Sequence, residues 1–391
     1  MRILIASDKF KGSLTAQEVG EALRRGLLRR YPEAEIILHP MADGGDGSLD
    51  LLRGHLPLQD YPVETVDPLG RPLPSFFAGV KGELMSTSAG RNNASNTVPV
   101  RTGDSGVALV ELAHASGIVL LKEAERNPLL TSTYGSGLVM RQALAAGFQR
   151  QYLFLGGSAT NDAGLGIAAA FGYRFLDGQG KEVAPCGGQL GQIREVVPPA
   201  TMPELALTLL CDVDNSLYGP QGAARVYARQ KGASDAEIDQ LDEGLQQLAE
   251  LLKSTTGLDV SQLAGGGAAG GIPAGLAALL DAQIQPGFHS LAQLTHLEQA
   301  IQAADWVISG EGRLDRQSLQ GKVPAGVAEL CKRYGKPLSL VVGKNELDPV
   351  EFEELGAKQI LSVMDLAEST AMAMEKGAVY LEELGVGIEI A

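Results

Sequence analysis

Cysteine, histidine and tryptophan are scarce in this 391-residue chain, which holds three, five and one of them. Cys186, Cys211 and Cys331 are odd in number, lie far apart and form no C-x-x-C. That excludes a disulfide framework and reads as reduced thiols in a cytoplasmic protein. His39, His55, His114, His289 and His296 lack zinc spacing. No stretch approaches the ~20 apolar residues of a membrane span, and the apolar run after Met1-Arg2 stops at Asp8, too short for a secretory signal. A P-loop G-x-x-x-x-G-K-[ST] is missing, and so is the protein-kinase set of Gly-rich loop, H-R-D and D-F-G. Positive charge is in deficit: 32 basic against 47 acidic residues leave −15. Such a chain repels polynucleotides and anionic membranes, so neither is an expected partner. A small anionic substrate remains compatible, because a metal ion and a few local bases can reverse the sign within a cleft.

What is present is 45% apolar residues in a chain longer than one hydrophobic core usually fills, which favours two domains. Ile3–Ala6 reads as a buried strand. Thr15 and Glu18 form a capping box for a helix whose Val19, Ala22, Leu23 and Leu27 keep helical spacing up to Pro32. Ile36–Leu38 is the next strand, with a helix starting near Gly47–Asp50. This alternation means a parallel sheet. From Leu56 to Val80 the chain is extended and punctuated by proline, and a domain boundary is placed near Asp67; Ser86–Asp104 reads as a long exposed loop. Val107–Leu112 and Tyr152–Leu155 are strands, and Tyr134–Ala146 is a helix stopped by Gly147. A helix opens at Ser234 with Glu237 in its capping box and repeats Ile238, Leu241, Leu245, Leu248 and Leu252. After Pro286 the alternation returns, with strands at Trp306–Ile308 and Leu338–Val342 and a helix over Pro324–Tyr334. The expected fold class is α/β, with a Rossmann-like parallel-sheet domain built from both chain ends (1–67 and 286–391) and a second α/β domain (68–285) inserted between them.

Strand ends carry the loops that bind ligands in open α/β sheets, and here several end in glycines with acidic or amide residues. Asp8-Lys9-Phe10-Lys11-Gly12-Ser13 sets Lys11 ahead of a capped helix, where it suits an anionic ligand or is a solvated loop lysine. Asp43-Gly44-Gly45-Asp46 offers two carboxylates to a metal, or a tight turn and a cap. Gly156-Gly157-Ser158-Ala159-Thr160-Asn161-Asp162 offers a nest of backbone N–H groups to a phosphate. Thr160 replaces the last glycine of a nucleophile elbow, and no histidine nearby is a convincing base. Gly310-Glu311-Gly312-Arg313-Leu314-Asp315 begins like a dinucleotide fingerprint, but Asp315 stands at the third glycine; the literal G-x-G-x-x-G at Gly265–Gly270 lacks a strong strand before it. Its simpler meaning is a flexible or closely packed loop leading into an Ala274–Leu280 helix. Cys211-Asp212-Val213-Asp214-Asn215 ends another apolar run.

In order along the chain, Ser7–Leu14, Ala42–Gly47, Glu111–Gly117, Arg126–Thr131, Gly156–Gly164, Cys211–Asn215, Gln230–Ala233, Gly265–Gly271 and Ser309–Lys322 resemble the signature blocks of the bacterial glycerate kinase family, which includes the type I glycerate 2-kinases. The resemblance covers most of the chain. It implies ATP- and Mg²⁺-dependent phosphorylation of D-glycerate, with 2-phosphoglycerate the expected product and 3-phosphoglycerate the alternative. It also implies two α/β domains with the active site in the cleft between them. Within this reading Asp43, Asp46 and Asp212 are assigned to Mg²⁺, and Gly156, Gly157, Ser158, Thr160 and Asn161 to ATP. Asp8, Ser13, Glu311 and Lys322 are assigned to the substrate. Lys11 and Arg313 contact the glycerate carboxylate or the transferring phosphoryl group, and Asp162 or Asp315 accepts the hydroxyl proton. The other readings are a kinase of a related small hydroxy acid, an NAD-dependent hydroxy-acid dehydrogenase and a non-catalytic hydroxy-acid-binding protein. A homodimer is left open.

Overall fold

The computed structural model describes residues 1–45, 47–81, 106–319 and 321–390. Asp46 and the 86–104 loop therefore lie outside the described residues. The chain divides into two compact units, Met1–Gly44 with Pro286–Ala391, and Gly45–Gln285.

The first unit is built on a five-stranded sheet in the order Gln359–Ser362, Leu338–Val342, Trp306–Ser309, Arg2–Ile5, Glu35–Leu38. Every pairing is parallel; Ile3, for example, sits between Trp306 and Ile36. Ile3, Leu4, Ile5, Val307, Ile308, Val341 and Val342 are almost wholly buried, as expected for strands covered on both faces. The helix Ala16–Arg30 starts at its predicted capping box: Glu18 N–H donates to Thr15 Oγ1 at 3.2 Å and Thr15 N–H to Glu18 Oε2 at 2.8 Å. Its Val19, Ala22, Leu23 and Leu27 face the core. From Arg2–Ile5 the chain crosses to the neighbouring Glu35–Leu38, whereas from Trp306–Ser309 it moves the other way to Leu338–Val342. The switch point of the sheet, where α/β proteins bind ligands, thus lies between Arg2–Ile5 and Trp306–Ser309.

The second unit carries a six-stranded mixed sheet, ordered Gln283–Gln285, Ala206–Leu210, Arg150–Phe154, Val107–Glu111, Pro72–Val80, Gln59–Val66. The first four strands are parallel and the last two form an antiparallel hairpin. That hairpin moves the crossing between units from Asp67 to Gly44–Gly45, because Gln59–Val66 pairs along its length with Pro72–Val80, from Gln59 opposite Gly79 to Val66 opposite Pro72. Asp67 is instead the hairpin corner, where its carboxylate accepts from Leu69 N–H at 2.9 Å and Arg71 N–H at 3.0 Å. The helix Asp235–Thr256 is capped by Ser234 and Glu237, and the predicted stripe Ile238, Leu241, Leu245, Leu248, Leu252 is its buried face. The glycine-rich run belongs to Ala268–Leu280, whose Ala269, Gly270 and Gly271 have φ of 49°, 80° and 93°. A Cβ at Gly270 would meet the Thr160 carbonyl oxygen at 2.1 Å, so close backbone approach explains this glycine.

Candidate active site

Four stretches of chain continue side by side past the strand ends of the first unit. Ala6 N–H donates to Ile308 C=O at 2.8 Å and Asp8 N–H to Gly310 C=O at 2.9 Å, while Met41 N–H donates to Ser7 C=O at 2.9 Å. On the far side Gly343 N–H donates to Glu311 C=O at 3.0 Å and Lys344 N–H to Gly312 C=O at 3.1 Å. This ladder gathers residues more than 300 positions apart around one cavity of about 640 Å³ at the switch point, of a size usual for small-molecule sites.

Asp8, Asp43, Glu311, Asp315 and Glu346 supply its carboxylates, and Lys9, Lys11, Arg313, Lys322 and Lys344 its cations. Val363, Met364, Ala373 and Met374 form an apolar wall. Asp8 is 7% exposed, and burial, then the charge of Asp43, pushes its pKa up to about 7 even though Lys9 N–H donates to Oδ1 at 2.7 Å. Glu311 is also 7% exposed. Burial is the main reason its pKa rises to about 7, with Asp315 and Asp43 adding to the rise and Ser318 and Lys322 opposing it. Its buried Oε1 has no hydrogen-bond partner among the described residues.

Of the residues singled out from sequence, Asp8, Lys11, Ser13, Asp43, Glu311, Arg313, Asp315 and Lys322 are brought together in this pocket. Lys11 reaches it by a route other than the helix N-terminus. It lies in the turn Phe10–Leu14, closed by Ser13 N–H and Leu14 N–H on Phe10 C=O at 2.8 and 2.9 Å, and the helix start is occupied by its own capping box. Ser13 donates its hydroxyl to Met374 C=O at 2.7 Å, which ties the turn to the apolar wall. Arg313 has an exposed guanidinium with Nε donating to Glu346 at 2.8 Å and Asp315 3.7 Å away, so its charge is largely matched before any ligand arrives.

The second unit holds the other set. The turn after Arg150–Phe154 is pinned by Ile118 N–H to Gly157 C=O at 2.8 Å and Ala159 N–H to Ser116 C=O at 2.9 Å. Thr160 and Asn161 are fully buried, and the Thr160 hydroxyl and both polar atoms of the Asn161 amide have no hydrogen-bond partner among the described residues. Asp162, expected as a proton acceptor, is fully buried and engaged. It accepts from Thr133 N–H at 2.7 Å, Thr133 Oγ1 at 2.8 Å, and Gly164 and Gly166 N–H at 3.2 Å each. Burial still pushes its pKa up. Those bonds make it a tether between the 131–134 and 162–166 segments, and a carboxylate that already accepts four hydrogen bonds is engaged before any substrate hydroxyl arrives. Asp212 follows the strand Ala206–Leu210 and is half-buried.

Among the described residues no three His, Cys, Asp or Glu side chains form a group able to hold a metal ion. The pocket nevertheless fits Mg²⁺, which binds through one or two carboxylates and completes its shell with water and phosphate oxygens. The charge of Asp43 raises the pKa of Asp8, so two carboxylates, the hard donors such an ion takes, stand close together in the pocket.

Lys9, Lys344 and Glu346 line the pocket without having been singled out as site residues from the sequence. Only the pairing of Arg313-Leu314 with Lys344-Asn345, a long-range feature, brings the last two there. Lys231 was also missed. Its Nζ donates to Ser158 Oγ at 2.9 Å and Thr160 C=O at 2.7 Å.

The family model described as the glycerate kinase family matches residues 3–389. A protein named glycerate kinase from Halalkalibacterium halodurans is 37% identical over 99% of this chain and 97% of its own length. One named glycerate 2-kinase from Escherichia coli is 35% identical over 93% of this chain and 91% of its own. A crystal structure from Salmonella typhimurium LT2, described provisionally as a glycerate kinase 2, superposes with a TM-score of 0.77 at 34% identity, covering 99% of this chain and 96% of that one.

Proposed function

The chain belongs to the glycerate kinase family, and from that premise we propose that it transfers the γ-phosphoryl group of ATP to D-glycerate, giving 2-phosphoglycerate. The observation that carries this reading is the pocket of the first unit, where buried carboxylates with pKa near 7 stand among lysines at the switch point of a parallel sheet. Lys11 and Lys322 attract the glycerate carboxylate and the incoming phosphoryl oxygens. Glu311 accepts the proton of the attacking hydroxyl. Its pKa of about 7 lets it be ionised at neutral pH and still take a proton, and its free Oε1 is available for the hydrogen bond. It replaces Asp162 in that role; Asp315, also in the pocket, supports it electrostatically.

Asp8 and Asp43 are the residues that would hold Mg²⁺, which when bound would offset the charge that develops on the transferring phosphoryl group. The Gly156–Asn161 turn of the second unit is assigned to the ATP phosphates, because its unpartnered Thr160 hydroxyl and Asn161 amide call for a polar ligand. The three free thiols agree with a cytoplasmic setting, and no described helix is long and apolar enough to cross a membrane. Phosphorus NMR of the product formed from ATP and D-glycerate tests the reading. A resonance of the 2-phosphate is expected; a 3-phosphate reassigns the attacked hydroxyl, and ADP release without a phosphorylated acid refutes the transfer. A nicotinamide absorbance change with hydroxy acids would favour the dehydrogenase.

A further inference from the structure

Lys231 is 3% exposed, and among the described residues no other lysine or arginine is buried. It ends the short turn Arg229–Lys231, and the next residue, Gly232, has φ of 99°. A Cβ there would lie 2.1 Å from the Arg126 carbonyl oxygen, so only glycine lets the chain reverse at this point and send Lys231 inward. The two acceptors its ammonium reaches, Ser158 Oγ and Thr160 C=O, are both neutral. No carboxylate forms an ion pair with it among the described residues; Asp162 acts on it only at longer range. Burial accordingly lowers its pKa to about 7.

A buried ammonium with three protons and two neutral acceptors is costly unless something anionic completes it. On the same turn the Thr160 hydroxyl and the Asn161 amide, both fully buried, also lack partners among the described residues. We propose that Lys231 is a positioning residue for ATP: by tying Ser158 to Thr160 it holds the Gly156–Asn161 turn in the shape that receives a phosphate, and it supplies that phosphate with a buried counter-charge. This rests on the reading above that the turn serves the nucleotide.

The test is steady-state kinetics of the full-length enzyme with Lys231→Met, Lys231→Gln, Ser158→Ala and Asn161→Ala, each checked by circular dichroism. Lys231→Met should raise the KM for ATP by about 10- to 100-fold, as loss of a charge-assisted contact does. The KM for glycerate should stay within about 3-fold, and Lys231→Gln, which keeps a donor, should fall between Lys231→Met and the wild type. Should Lys231→Met not fold, the same split read on Lys231→Gln decides. A folded Lys231 variant with unchanged KM for ATP, while Ser158→Ala and Asn161→Ala raise it, overturns the role of Lys231 alone. Unchanged KM for ATP in all four, or a rise confined to glycerate, overturns the assignment of the turn to the nucleotide.

Discussion

In the first unit five carboxylates and five cationic side chains share one pocket, whereas at the Gly156–Asn161 turn of the second unit a single ammonium, Lys231, is buried among neutral partners. The contrast sets two arrangements of positive charge side by side in a chain of net charge −15. In the pocket, Asp8 and Glu311 sit close enough to neutrality that a proton can be exchanged near pH 7, and the exposed Lys11 adds attraction. At the turn no carboxylate is open to take a proton from a substrate: Asp162 is locked by four hydrogen bonds to Thr133, Gly164 and Gly166. Chemistry is therefore expected of the first arrangement and rigid binding of the second.

The largest expected effect tests the chemistry. Glu311→Gln should lower kcat by about 10²- to 10⁴-fold, the usual contribution of a general base, with little change in either KM. In the wild type kcat should fall as pH drops below about 7, where Glu311 gains its proton, and stopped-flow or coupled assays across pH 5.5–8.5 (roughly the range that brackets that pKa) would show it. If Glu311→Gln keeps full kcat while Asp162→Asn abolishes it in a folded protein, the comparison is reversed.

Lys11→Ala follows, with an expected loss of about 10²-fold in kcat/KM, since one charge-assisted contact to a desolvated anion is worth about 3 kcal/mol. Lys9→Ala should do much less, and a reversal of the two would move the site off this turn.

The second unit's carboxylate should show itself in stability. Asp162→Asn keeps the shape but turns an acceptor oxygen into a donor facing donors, and should destabilise the protein by about 2 kcal/mol in urea unfolding. Equal stability would mean that Asp162 is not a tether.

Glu311 and Asp8 should have the opposite sign. Their folded pKa values, about 7, lie above the ordinary carboxylate range, so the folded state holds more protons than the unfolded one between about pH 4 and 7. Their contribution is fully present below the unfolded pKa and is lost as pH rises through the folded one. The ligand-free enzyme should therefore lose roughly 2 to 3 kcal/mol of stability per group on going from pH 5 to 8, about 1.4 kcal/mol for each pH unit up to the folded pKa, and Glu311→Gln should remove part of that loss. A pH-independent melting temperature in Glu311→Gln and wild type alike would contradict the burial argument.

Much of this was legible beforehand. The capping boxes at Thr15 and Ser234 and the stripe from Ile238 to Leu252 appear where side-chain chemistry and the helical repeat place them, because both are local. The strand-end clusters also marked the pocket, since Asp8, Lys11, Asp43, Glu311 and Arg313 all line it. The hairpin was harder to assign. Extended texture over 56–80 was evident, but whether Gln59–Val66 joins one sheet or the other depends on which partner strand it meets.

What the sequence determined by itself is the α/β class, the glycerate kinase family and the residue types gathered at the strand ends, because each rests on nearby residues or on blocks in order along the chain. What only the tertiary structure decided is which carboxylates are buried and what they face. Asp8, Asp162 and Glu311 all follow apolar runs and look alike in one dimension, yet Asp162 is filled by donors while Glu311 Oε1 has none among the described residues. Likewise Lys231 differs from any other lysine only because Gly232 turns the chain against Arg126 and buries its ammonium. Protonation and hydrogen bonding are set by neighbours in space, and those neighbours come from segments that the chain order keeps far apart.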